Sequence, residues 1–152
     1  MITIGVMITA HGPRVKNGML THAIQSVLDQ ERVPDQLVVA IDRYGVGAAA
    51  SKQRALMSIT TDYVAVLDSD DWFLPQHLRV LEEAQLSTNA DLVYSWFETS
   101  PAGGDPFPPF FFTDPWDTDN PRHTTTTIMA RTEIMQQVGY TADPNKFATC
   151  AD

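Results

Sequence analysis

The stretch Tyr63-Val64-Ala65-Val66-Leu67-Asp68-Ser69-Asp70-Asp71-Trp72 constrains this chain more than any other. An uninterrupted apolar run of this length suits a strand buried on both faces, as in parallel sheets. Three carboxylates then follow within four residues. A buried strand that ends in acids delivers them to the C-terminal rim of an α/β sheet, where ligands bind. Asp68 and Asp70 are two apart and offer the hard oxygen donors that Mg²⁺ or Mn²⁺ takes. The Asp-x-Asp spacing carries little by itself. The chain has 14 Asp in 152 residues, which yields roughly one such pair by chance. A second pair, Asp117-Thr118-Asp119, follows no strand, sits among prolines and reads as loop. Context separates the two: a strand precedes the first pair and helical spacing follows it.

The rest of the chain repeats that alternation. Residues 2–8 read as a first strand, and Gly12-Pro13 breaks it as a loop signal. From Asn17, Leu20, Ala23, Ile24, Val27 and Leu28 fall on one face of a helix. Pro34 stops its continuation. Leu37 to Ile41 is a second buried strand with Asp42 at its end, and Gly45 and Gly47 mark a turn. Ala48 to Ile59 is helix-prone. After the acids, Pro75 suits a first helical turn and Leu74, Leu78, Leu81 and Ala84 keep helical spacing. Asp91 to Phe97 reads as a fourth strand. Thr124 to Met129 suits a strand by β-branching, and Arg131 to Val138 a short helix closed by Gly139. Strands alternating with helices predict an α/β fold with a mainly parallel sheet. Right-handed crossovers place Thr9, Asp42 and Asp68 along one edge.

Residues 101–122 differ in kind, with six prolines, two glycines and four phenylalanines. A loop of that length inside a compact domain is functional or disordered. The length of 152 residues predicts one domain. The net charge of −9 argues against a groove that tracks a nucleic-acid backbone. A chain this acidic needs a divalent cation to hold a diphosphate. The single cysteine, Cys150, excludes an internal disulfide and fits a reducing compartment, so a cytoplasmic location is expected. No apolar run approaches the roughly 20 residues of a membrane span. The amino terminus reads as a strand and not as a signal peptide.

Three segments together carry a family resemblance: Ala23-Ile24-Gln25-Ser26-Val27-Leu28-Asp29-Gln30, Val66 to Pro75, and Thr127-Ile128-Met129-Ala130-Arg131 followed by Val138-Gly139-Tyr140. Their order and spacing resemble the family 2 glycosyltransferases of the GT-A fold. That resemblance implies a three-layer α/β/α, Rossmann-like domain over residues 1–152. Residues 1–97 would be its nucleotide-binding half and 98–152 a shortened acceptor-side half. It implies inverting, metal-dependent transfer of a sugar from a nucleotide-diphosphate donor to a hydroxyl of a glycan, lipid or protein acceptor. Thr9 and His11 match positions lining the nucleobase pocket. Asp42 matches the acid that accepts a hydrogen bond from the base, which suits a uracil N–H and hence a UDP-sugar. Asp68 matches the acid near ribose and metal, Asp70 the direct ligand of Mn²⁺ or Mg²⁺, and Asp152 the general base.

The match has departures. Where the family shows Arg-Asn on the helix before the metal motif, this chain has Lys52-Gln53, with Arg54 next. Lys52 and Arg54 are therefore the candidate phosphate or base contacts. The segment from Asp42 to Asp68 is shorter than usual. Asp152 is the last residue of this sequence, where a base is expected to be loosely held. The aromatic loop 107–116 is expected to close over a substrate, cover the sheet edge or join a homodimer. His22 and His77 fall on helices and are expected to be solvated; Asp71 is expected to act behind the ligands or at a helix start. Two rival readings remain. A haloacid-dehalogenase-type phosphohydrolase also places Asp-x-Asp after a strand, but after the first strand and without Trp72. A shortened domain of the same fold could bind a nucleotide-sugar or a partner without turnover.

Overall fold

The computed structural model describes residues 1–98 and 125–140. A five-stranded sheet holds β1 (Ile4–His11), β2 (Gln36–Asp42), β3 (Tyr63–Asp68), β4 (Leu92–Tyr94) and β5 (Ile128–Arg131). Their spatial order is β2-β1-β3-β5-β4. β1 pairs in parallel with β2 and with β3, while β5 runs antiparallel to both β3 and β4. Four strands thus point one way and β5 alone runs against them, which makes the sheet mainly parallel.

Alternation along the strands divides the core in two. Ile4, Val6, Ile8 and Ala10 of β1 face one side with Tyr63, Ala65 and Leu67 of β3. They pack on Leu20, Ala23 and Val27 of α2 (Met19–Leu28) and on Leu78 and Leu81 of α4 (His77–Thr88). Met7, Val64 and Val66 face the other side against Ala55 and Leu56 of α3 (Ala48–Leu56), Ile59, and Met135 of α5 (Thr132–Val138). The architecture is therefore three layers, α/β/α. Both faces of β1 and β3 are covered, which explains why their sequences are continuous apolar runs. Gly5 belongs to this packing, because a Cβ there would sit 2.6 Å from Thr61 Oγ1.

Several boundaries differ from the sequence expectations. β1 runs three residues past Ile8, to His11, and carries that side chain to the rim. Gly12-Pro13 opens a short helix, α1 (Gly12–Lys16), because Pro is tolerated in a first turn. Leu28 is 52% exposed at the end of α2 and leaves the apolar face. α4 starts at His77, so Pro75 lies in the preceding turn and Asp71 is not at a helix start. The fourth strand is three residues long, and residues 125–127 form a 3₁₀ turn before β5. His77 is not solvated: its ring stacks on Phe73 at 4.1 Å, and burial pushes its pKa down to about 4. The aromatic loop 107–116, the second Asp-x-Asp and Asp152 lie outside the described residues.

Two carboxylates pin the start of the sheet, opposite the acidic rim. Asp35 accepts a hydrogen bond from the Ile4 N–H at 2.8 Å and pairs with Arg32 at 2.8 Å. Asp62 accepts from the N–H and hydroxyl of Thr3 at 2.7 and 2.8 Å. These bonds, first to backbone N–H groups, hold both carboxyls below their usual 3.8. A carboxyl with a depressed folded pKa contributes stability above its unfolded value and loses it as pH falls through the folded one. Urea unfolding midpoints should therefore fall as pH drops below about 4. Asp62→Asn should start lower at neutral pH and decline less; a parallel decline in both proteins would count against this account.

Candidate active site

Strand register assembles the rim. Thr9 lies opposite Asp68 across β1 and β3, and His11 lies opposite Asp42 across β1 and β2. The helices after β1 and β2 pack on opposite faces of the sheet, and in open α/β sheets the crevice outside the C-terminal strand ends is where ligands bind. His11 is exposed there, and Thr9 and Asp42 are half-buried.

Asp42 organises the loop that follows it. One carboxylate oxygen accepts from the N–H groups of Tyr44 at 3.2 Å and Val46 at 3.0 Å; the other accepts from Gly47 at 2.9 Å. The Gly47 bond, then that of Val46, lowers the carboxyl pKa. Gly45 and Gly47 have φ of 69° and 95°, which an L side chain resists, so the two glycines permit the turn. Asp42 is thus an ionised acceptor with lone-pair capacity left for a ligand.

Asp68 is held by two side chains. Lys52 Nζ sits 2.9 Å from one oxygen, and Thr125 Oγ1 donates to the other at 3.0 Å. Lys52 Nζ also reaches Thr125 Oγ1 at 3.3 Å, closing a triangle between α3, β3 and the 3₁₀ turn. Arg54 is exposed two residues further along α3. Two residues turn a helix by about 200°, which sends it away from Lys52. The structure therefore brings Lys52 to the acids and leaves Arg54 outside. The buried hydroxyls of Ser51 and Tyr140 have no hydrogen-bond partner among the described residues. Burial, and then the negative charge of Asp68, push the Tyr140 phenol well above its usual range.

The turn that follows carries the other acids. The Asp71 N–H donates to the Asp68 carbonyl at 3.1 Å. Asp70 forms an ion pair with Arg14 of α1. Asp71 keeps an exposed face, but the groups packed round its carboxyl remove water from it. That desolvation, then the charges of Asp70 and Asp68, raise its pKa, while a hydrogen bond from Thr126 opposes the rise. Trp72 is 42% exposed and stacks on His22 at 4.9 Å.

The segment Ser26 to Gln30, which runs off the end of α2, explains how this turn is fixed. Ser26 Oγ accepts from the Phe73 N–H at 3.1 Å. The Gln30 amide donates to the carbonyls of Ser26 at 3.0 Å and Leu74 at 2.7 Å, and its oxygen accepts from the Leu78 N–H at 3.0 Å. Gln30 is 3% exposed, so no water replaces those bonds. Sequence reading noted these two residues as a pattern and missed this role, as it missed Arg14 and Thr125. The rim rule reaches Arg14, which follows β1 closely; no local signal marks Thr125.

The donor set suits a hard divalent cation. No group of three or more His, Cys, Asp or Glu among the described residues is arranged to hold a metal ion. Mg²⁺ does not need such a cage, because it is commonly held by one or two carboxylates with substrate phosphates and water. Asp70, with its side chain 40% exposed, is placed for that role. Asp68, with both oxygens engaged, is the less available of the two. Removing the Gln30 clamp should be costly: Gln30→Leu leaves the buried Leu78 N–H and the partly buried Ser26 carbonyl without partners, about 1–3 kcal/mol each, while the Leu74 carbonyl keeps the His77 N–H. Urea unfolding of the variant should show a loss of about 2–5 kcal/mol, and a loss below about 0.5 kcal/mol would refute the clamp.

The fold matches known proteins. Among solved structures, S. aureus TarS 1–349 superposes with a TM-score of 0.68 at 15% identity, covering 90% of this chain and 49% of that one. Its complex with UDP gives a TM-score of 0.66 at 15% identity, covering 90% of this chain and 49% of that one. Its complex with UDP-GlcNAc gives 0.66 at 14%, covering 90% and 47%. The chain thus spans about half the length of the TarS 1–349 chains that it matches. No curated protein sequence matches it. The model of the family described as glycosyl transferase family 2 matches residues 34–142, well over half of the sequence. Those residues run from before β2 past Tyr140 and include Asp42, Lys52, Asp68 and Asp70, and the chain belongs to glycosyl transferase family 2.

Proposed function

We propose that this chain transfers a sugar, with inversion, from a uridine-diphosphate donor to a hydroxyl acceptor, with Mn²⁺ or Mg²⁺ as cofactor. The observation that carries the reading is the alignment of His11, Asp42, Asp68 and Asp70 on one sheet rim within a family 2 chain. The structural neighbours that bind UDP and UDP-GlcNAc support the choice of uridine. Thr9 and His11 line the nucleobase side of the crevice, and the Asp42 carboxylate accepts from the uracil N–H. Asp68, oriented by Lys52 and Thr125, faces the ribose. Lys52 lies close enough to the same rim to add positive charge near the phosphates. Asp70 is the residue that would hold the cation; bound there, the cation would neutralise the diphosphate as the glycosidic bond breaks.

The rest of the chemistry is proton removal. A carboxylate within about 3 Å of the attacking hydroxyl takes its proton, and Asp152 is the proposed base. We place its action in the cytoplasm on the strength of the single cysteine, which fits a reducing compartment; no helix among the described residues is long and apolar enough to cross a membrane.

Calorimetric titration of UDP with and without Mn²⁺, alongside turnover of UDP-sugars, tests the reading. Asp70→Asn should reduce UDP affinity in Mn²⁺ to its metal-free level and leave the melting temperature within a degree or two of wild type, since a half-exposed rim acid adds little to the core. Unchanged Mn²⁺-dependent binding in the folded variant would end the assignment.

Asp152→Asn should cut turnover by about 10²-fold or more and leave UDP affinity unchanged. Equal turnover by both proteins would give the proton to another group. A wild type that binds UDP with Mn²⁺ and turns over no donor across a broad acceptor panel would establish a binding module instead.

A further inference from the structure

Each acid of the Asp68–Asp70 pair has its own cation, and the two pairings differ in kind. Lys52–Asp68 is a closed arrangement. The Lys52 side chain is 14% exposed, and Thr125 bonds to both partners. Arg14–Asp70 is open. The side chains are 30% and 40% exposed, and the same Arg14 nitrogen that meets Asp70 reaches the Met19 sulfur at 3.4 Å, a weak acceptor. Arg14 also rides on a helix of five residues that buries none of its side chains. That helix is followed by Asn17 and by Gly18 at φ 83°. Moving Arg14 therefore disturbs no core contact, whereas moving Lys52 breaks the triangle.

Charge gives the pairing a purpose. Asp68, Asp70 and Asp71 place three formal negative charges in one turn, and Lys52 and Arg14 supply two positive ones. A divalent cation on Asp70 together with Arg14 would put three positive charges around one carboxylate. The guanidinium and the cation would lie a few ångströms apart, inside the Debye length and thus poorly screened. Exchanging Arg14 for the cation balances the turn.

We propose that Arg14 is the resident counter-ion of Asp70 and that a divalent cation displaces it, so that Arg14 sets the affinity and selectivity of the cation site. The proposal rests on Asp70 being the cation ligand of the proposed function. In its Arg14-bound form the carboxylate is neutralised and the rim stays folded without a cation. In the exchanged form the guanidinium is released at the same rim, on α1, the short helix that follows His11.

Mn²⁺ titration without nucleotide, read by the electron paramagnetic resonance signal of free Mn²⁺, tests the exchange in the full chain. Arg14→Gln should bind Mn²⁺ about two- to fivefold more tightly than wild type, the range set by a partly exposed ion pair. Arg14→Lys, which keeps a charge but not the planar fork, should fall between them. In an Asp70→Asn background the same Arg14→Gln change should have no effect on Mn²⁺ affinity. Circular dichroism establishes that each variant is folded. Unchanged or weaker Mn²⁺ binding by folded Arg14→Gln would overturn the proposal, as would an equal gain in the Asp70→Asn background. The readout needs no UDP. A chain that shows the Arg14 effect and binds no UDP would therefore refute the nucleotide reading and leave the exchange supported.

Discussion

Burial of β1 and β3 on both faces, in parallel register, is the constraint on which the rest of the structure depends. Each strand has its alternate side chains packed against a different helical layer, so a shift by one residue would exchange the two sets and mismatch the packing on both sides. That penalty locks the register, and the register places Thr9 beside Asp68 and His11 beside Asp42. The site therefore inherits its precision from the core. Its acids stand on strand ends and on a turn that the core cannot let slide.

The turn itself is not held by burial. It is held by hydrogen bonds from α2 and the residues just past its end. Ser26 of α2 and Gln30 accept the Phe73 and Leu78 N–H groups, which would otherwise be stranded between a strand end and a helix start, and Gln30 also donates to the Leu74 carbonyl. Buried backbone polar groups must find partners, and a long, buried amide that offers both donor and acceptor meets several at once. The same economy appears at Asp42, which accepts the N–H groups of its own loop and remains charged at the mouth of the crevice.

Electrostatics then gives the rim its character. The chain carries −9 overall, yet positive groups have been drawn to the acidic turn: Lys52 from α3 and Arg14 from α1, the short helix after β1. Acids left unpaired at this density would repel one another; at Asp71 desolvation raises the pKa first, and the charges of Asp70 and Asp68 add to it. The two pairings leave Asp68 fixed and Asp70 exchangeable. That asymmetry lies in the surroundings of two residues with identical chemistry.

The sequence by itself determined the fold class and the edge. Apolar runs and period-3.6 patterns, with acids at strand ends, were enough to predict an α/β fold with a mainly parallel sheet and an edge carrying Thr9, Asp42 and Asp68, with Asp70 just beyond, because those patterns are local; the three layers and the place of His11 came with the resemblance. The resemblance to family 2 added roles that spacing alone does not contain. Tertiary structure decided what local pattern could not reach. It selected Lys52 over Arg54, since helix phase relative to the sheet depends on packing. It buried His77 by stacking it on Phe73, although its neighbours in sequence read as a solvated helix start. It brought Thr125 to Asp68 across 57 residues and Arg14 to Asp70 across 56. A side chain's partner is set by distance in space, and distance in space is fixed only when the sheet has chosen its strand order.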